Sequence, residues 1–131
     1  MDPIGGLAPS GEGKGVLRGR LRRTEVVHQW GAALRRGPFG SLMVGELYLT
    51  DLRLVWLSLQ KSPFFQKREL SRDSVNEVVL NDGGMACSGF RWGIDIETAG
   101  DTKLFRFYGK LDESKAAAEQ WQEVISRWAG L

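Results

Sequence analysis

Two short stretches set aromatic rings beside positive charge. Residues 35–40 read RRGPFG and residues 61–68 read KSPFFQKR. That mixture suits a surface both apolar and anionic, unless the rings turn inward to pack. The other reactive side chains point to no covalent chemistry. A Ser-His-Asp relay would have to recruit His28, the one histidine, and no G-x-S-x-G turn presents a serine. Cys87, in GGMACSGF, has no base partner beyond that same histidine. Gly83, Gly84 and Gly89 lack the following Lys-Ser/Thr of a phosphate-cradling loop. Asp95 and Glu97 share one strand face, which alone defines no acid–base pair. One His and one Cys argue against a zinc site, and no cofactor motif is present. The residue types predict a binding module rather than an enzyme.

At 131 residues the chain is expected to form one domain, and 42% hydrophobic residues with five Trp supply its core. The single Cys excludes an internal disulfide. A net charge of +2 permits an anionic partner without the basic signature of a nucleic-acid binder. The N-terminus lacks the pattern of a secretory signal, and no apolar run approaches membrane-spanning length. An intracellular, cytoplasmic protein with at most peripheral membrane contact is expected.

Residues 1–13, rich in Gly, Pro and Ser, read as a flexible tail, and residues 14–131 as the domain. Lys14, Arg18, Arg20, Arg22 and Arg23 form a basic run that suits a solvated lead-in or an anion-binding arm. From Glu25 the pattern is strand after strand. TEVVHQWGAALRR ends at the turn GPFG. GELYLT places Leu47 and Leu49 opposite Glu46, Tyr48 and Thr50, and RLVWLSL is nearly all apolar. QKREL and SVNEVVLN follow. In FRWGIDIET, Phe90, Trp92, Ile94 and Ile96 share one parity; a short loop then leads to TKLFRFYG, with Phe105 and Phe107 on one face. The charged residues of these strands, Arg91, Asp95, Glu97, Lys103 and Arg106, read as a solvated face.

The last segment changes period: Ala117, Trp121, Val124, Ile125 and Trp128 recur at helical spacing, with Asp112 or Ser114 able to cap the start and Gly130 the end. Seven strands and one amphipathic helix predict a mainly β fold, a bent sheet covered by its C-terminal helix.

GELYLTDLRLVW resembles the hairpin signature of the GRAM branch of pleckstrin-homology-like domains, with Gly45, Leu47, Tyr48, Leu49, Thr50, Asp51, Arg53, Leu54 and Trp56 fitting it. EQWQEVI is similar to the terminal-helix pattern of pleckstrin-homology domains, with Trp121 at the position that packs on the barrel. The related GLUE domains share the hairpin pattern. The resemblance covers residues 25–129 and implies a bent seven-stranded barrel or sandwich capped by the helix. It implies structural roles for Thr50, Asp51, Arg53 and Trp121.

In that fold the first-to-second, third-to-fourth and sixth-to-seventh strand loops gather at one open end, where phosphoinositide-binding members hold lipid. The resemblance therefore makes Arg35, Arg36, Lys61, Lys67 and Arg68 the anion-binding set, and Phe39, Phe64 and Phe65 the membrane-contacting rings. The family's usual second-strand basic pattern is missing from SLMVGELYLT. Weak association with anionic phospholipid is the leading expectation. Interaction with a partner protein, ubiquitin among them, is the alternative.

Overall fold

The structure, a computed structural model, describes residues 22, 24–36, 42–59, 66–82 and 89–131. Among them are seven strands: β1 (Val27–Arg36), β2 (Leu42–Thr50), β3 (Leu54–Ser58), β4 (Lys67–Leu70), β5 (Val75–Asn81), β6 (Phe90–Thr98) and β7 (Asp101–Tyr108). A helix, α1 (Leu111–Trp128), completes the order. The strands form one antiparallel sheet in the order β4-β3-β2-β1-β7-β6-β5. It curls into a half-barrel, and α1 covers the β5–β7 side.

Curvature follows from apolar patterning on both sides of the sheet and from register breaks. β3 is buried at every position. Its Leu54 and Trp56 face the main core with Leu47, Leu49, Ile94, Ile96, Phe105 and Phe107. Val55 and Leu57 join Val27, Tyr48 and Trp30 in a second cluster on the outer face. Trp30 stacks on Tyr48 at 5.7 Å. Register shifts between Val27 and Gln29, Val75 and Glu77, and Phe90 and Gly93 bend the strands as bulges do. The last of these separates Phe90 from the core parity expected of it. Phe90 is buried outside the main cluster, edge-on to Tyr108.

Trp121 is 1% exposed and stacks on Phe107 with ring centroids 5.8 Å apart. Ala118 and Ile125 complete the buried stripe of α1, and Val124 and Trp128 flank it. Asp112 and Ser114, the expected caps, lie inside the helix. Lys110 holds the cap position, and its N–H donates to the Glu113 carboxylate at 3.2 Å. Ser114 is buried; its hydroxyl accepts from the Trp92 N–H and donates to the Leu111 carbonyl. It joins helix to sheet rather than starting the helix. At the other end Gly130, at φ +78°, closes the helix, and Leu131 N–H returns to the Ser126 carbonyl.

Gly45, the first residue of the hairpin motif, has a packing reason to be glycine. A Cβ there would sit 2.6 Å from the Trp56 ring and 2.4 Å from the Leu57 carbonyl oxygen. Gly45→Ala is expected to cost about 1–3 kcal/mol, the usual penalty of overpacking. An unchanged thermal midpoint would mean that the indole moves aside freely.

Candidate functional site

The hairpin motif builds a buried polar knot at the β2–β3 turn. Thr50 Oγ1 accepts from the N–H groups of Leu52 and Arg53 and donates to Glu25 Oε2 at 2.7 Å. Asp51 takes the Val26 N–H through Oδ1 at 2.9 Å, and its own N–H meets the Val26 carbonyl. Arg53, 6% exposed, grips Glu25 with two nitrogens at 2.8 and 3.0 Å and also reaches Glu69. Every charge in the knot has a partner. Burial by itself would raise the Glu25 pKa; hydrogen bonds from Arg53, the Arg22 N–H and Thr50 overcome it and hold the group at about 2. These bonds are internal to the fold.

The opposite end of the half-barrel is different. Arg35 pairs across to Phe105 on β7 and Met43 on β2, and Arg68 pairs to Trp56 on β3. Arg35 and Arg68 thus share the concave side with the core residues Trp56 and Phe105. Lys103 shares the parity of Phe105 and Phe107 and joins them there, although its charge suggests a solvated face. Arg35, Arg36, Arg68, Asp101, Thr102 and Lys103 line one open cleft of about 460 Å³. Four of these residues are cationic and one is a carboxylate.

Arg35 is the most constrained of the four. Its guanidinium lies 5.6 Å from the centre of the Trp56 ring. That indole is fully buried and anchored by its N–H to the Ala33 carbonyl at 3.0 Å. Arg35 Nη1 is buried and, among the described residues, has no hydrogen-bond partner. Burial first, and Arg68 second, lower the Arg35 pKa, while Asp101 pulls it back. A guanidinium remains protonated under such pressure. The result is a desolvated, under-compensated cation beside a second one, an arrangement that an incoming anion relieves.

The cleft brings together Arg35, Arg36 and Arg68 from the residues read off the sequence, and adds Lys103. Lys67 goes elsewhere: it alternates to the outer face with Glu69, its ammonium 3.6 Å from that carboxylate. Lys61, Phe39, Phe64 and Phe65 lie outside the described residues. Two leucines outside the cleft lining are exposed, Leu42 opposite Arg36 and Leu59 just past β3, at 42% and 51%. Parity with Phe105 is the sequence signal that marks Lys103. Nothing local marks Leu42 and Leu59.

A larger hollow of about 990 Å³ lies at the other end of β6 and β7, beside the start of α1. Among its lining residues Arg91 and Lys110 are matched in number by Asp112 and Glu113. Among the described residues no cluster of His, Cys, Asp and Glu is placed to hold a metal, and no helix is long and apolar enough to cross a membrane.

No family model and no curated protein matches the chain. Solved structures do. The C-terminal domain of an unknown protein from Leishmania infantum superposes with a TM-score of 0.55 at 15% identity, covering 79% of this chain and 84% of that one. The hSac2 domain from human phosphoinositide phosphatase Sac2 gives 0.54 at 10% identity, covering 86% and 73%. A Shewanella loihica protein with a pleckstrin-homology domain gives 0.52 at 11% identity, covering 86% of each chain. Likeness at such identities is likeness of fold. Together with the strand order and the terminal helix, it establishes a pleckstrin-homology-like fold.

Proposed function

We propose that this chain is a non-enzymatic module of the GRAM branch that docks weakly and reversibly on anionic membranes, those containing phosphoinositide included. The observation that carries the reading is Arg35, a half-buried guanidinium on Trp56 whose buried Nη1 has no hydrogen-bond partner among the described residues, in a cleft shared with Arg36, Arg68 and Lys103. Each cation near an anionic bilayer contributes about 1 kcal/mol. Phe39, Phe64 and Phe65 are proposed to supply apolar contact, with the exposed Leu42, opposite Arg36, close to Phe39 in sequence. Lys61, in KSPFFQKR, is proposed to add charge, whereas Lys67 is paired with Glu69 on the outer face and is left out of the docking set.

Phosphatidylcholine vesicles with and without anionic lipid test this by cosedimentation. Changing Arg36 and Arg68 together to glutamine should weaken affinity for anionic vesicles by about 25-fold, at roughly fivefold per cation, with the fold intact. Equal recovery of the natural chain on neutral and anionic vesicles would dispose of the reading. Strand addition by a peptide, or ubiquitin binding as in GLUE domains, has weaker support. β4 and β5 are the edge strands of the sheet, and at β5 Gln122 already donates to the Val78 carbonyl at 3.0 Å.

A further inference from the structure

The cationic cleft contains its own anion. Asp101 opens β7 on the same parity as Lys103 and Phe105, so its side chain faces the mouth. One carboxylate oxygen accepts the Thr102 N–H at 2.8 Å, and the other lies 2.5 Å from Lys103 Nζ. Its field also reaches Arg35. Yet its side chain is 56% exposed, whereas that of Lys103 is 25% exposed. The carboxylate is thus positioned by its turn but not walled in, and it can be displaced from the ammonium without breaking the fold.

We propose that Asp101 is a resident counter-ion of the cleft: it holds Lys103 while the site is empty, yields it to a ligand phosphate on docking, and so favours phosphomonoesters over phosphodiester headgroups. The proposal rests on the membrane reading above. A phosphodiester brings one negative charge, no more than the carboxylate it must replace at Lys103. A phosphomonoester brings about −1.5 to −2 and three acceptor oxygens. It compensates Lys103 and still has charge and lone pairs left for the unfilled donor of Arg35 and for Arg68. Asp101 therefore weakens binding of every anion, but weakens singly charged headgroups most.

Asp101→Asn tests the idea with little structural disturbance, because the amide oxygen can still accept the Thr102 N–H. Three vesicle preparations are needed: phosphatidylcholine alone, phosphatidylcholine with phosphatidylinositol monophosphate, and phosphatidylcholine with phosphatidylserine at matched total charge. Soluble inositol monophosphate serves as the free-phosphate arm. The natural chain should prefer the phosphoinositide vesicles. Asp101→Asn should bind phosphatidylserine vesicles roughly three- to tenfold more tightly, gain less on phosphoinositide, and so lose much of that preference. If the natural chain binds anionic vesicles but Asp101→Asn binds them equally or more weakly, the counter-ion role is overturned and the docking reading stands. If no anionic vesicle recruits either chain, or only soluble inositol phosphate is bound, membrane docking is overturned and the inference with it.

Discussion

Truncating Trp121 to alanine should cost about 3–5 kcal/mol, the range for removing a buried large aromatic. The ring is 1% exposed, stacked nearly parallel on Phe107, and belongs to the main cluster with Ile94, Ile96, Ala118 and Ile125. The half-barrel cannot close around a hole at this point, because the sheet's concave wall is held by its own ladder of hydrogen bonds. Domain stabilities of about 5–15 kcal/mol leave little after such a loss. Urea unfolding followed by fluorescence measures it, with Trp121→Phe as the milder control that keeps the stack on Phe107. A loss below about 1 kcal/mol for the alanine variant would mean that α1 does not plug the sheet through this residue.

Glu25→Gln should be comparably damaging, at about 3–5 kcal/mol near neutral pH, since it leaves a buried Arg53 without its main partner. Glu69 still reaches Arg53, but from a partly exposed position. The same pair predicts an acid transition. The Glu25 pKa is held at about 2 in the fold, below its ordinary value of 4.5. A depressed folded pKa means stability that is complete above the unfolded value and is lost as pH falls through the folded one. Glu25 therefore contributes about 3 kcal/mol above pH 4.5, and this drains away between there and pH 2. Glu69, also lowered against its own burial by Arg53, changes in the same direction. Urea melts from pH 7 down to pH 2 should show a stability decline whose steepest part Glu25→Gln removes. An equal decline in the variant would locate the acid sensitivity elsewhere.

Glu25 also shows why such a knot escapes a linear reading. It stands in TEVV, one acidic residue before an apolar run, and it meets Arg53 only because β1 and β2 pair from Val27 to Thr50. The neighbouring residue Thr24 takes a left-handed backbone, at φ 70°, in the turn that delivers it. Such a conformation costs a β-branched residue energy and persists only where the surroundings over-determine it.

Local periodicity, by contrast, determines the elements. Alternation across GELYLT and TKLFRFYG, helical spacing through Trp121, Ile125 and Trp128, and a glycine just beyond them are set by side-chain geometry within one strand or one helix. No distant partner is needed to read them, and the mainly β class with a terminal helix follows. Tertiary structure decided which charges meet. Arg68 and Lys67 are adjacent in sequence, yet the two-residue period of β4 sends Arg68 into the cleft and Lys67 to Glu69 on the outer face. Lys103 carries the charge of a solvated residue, yet shares a face with Phe105. Arg35 becomes an under-compensated cation only when Trp56, 21 residues further on, slides beneath it and Asp101 comes round from the far hairpin. Electrostatics act through space over several ångströms, and only the curled sheet brings β1, β4 and the start of β7 within that range.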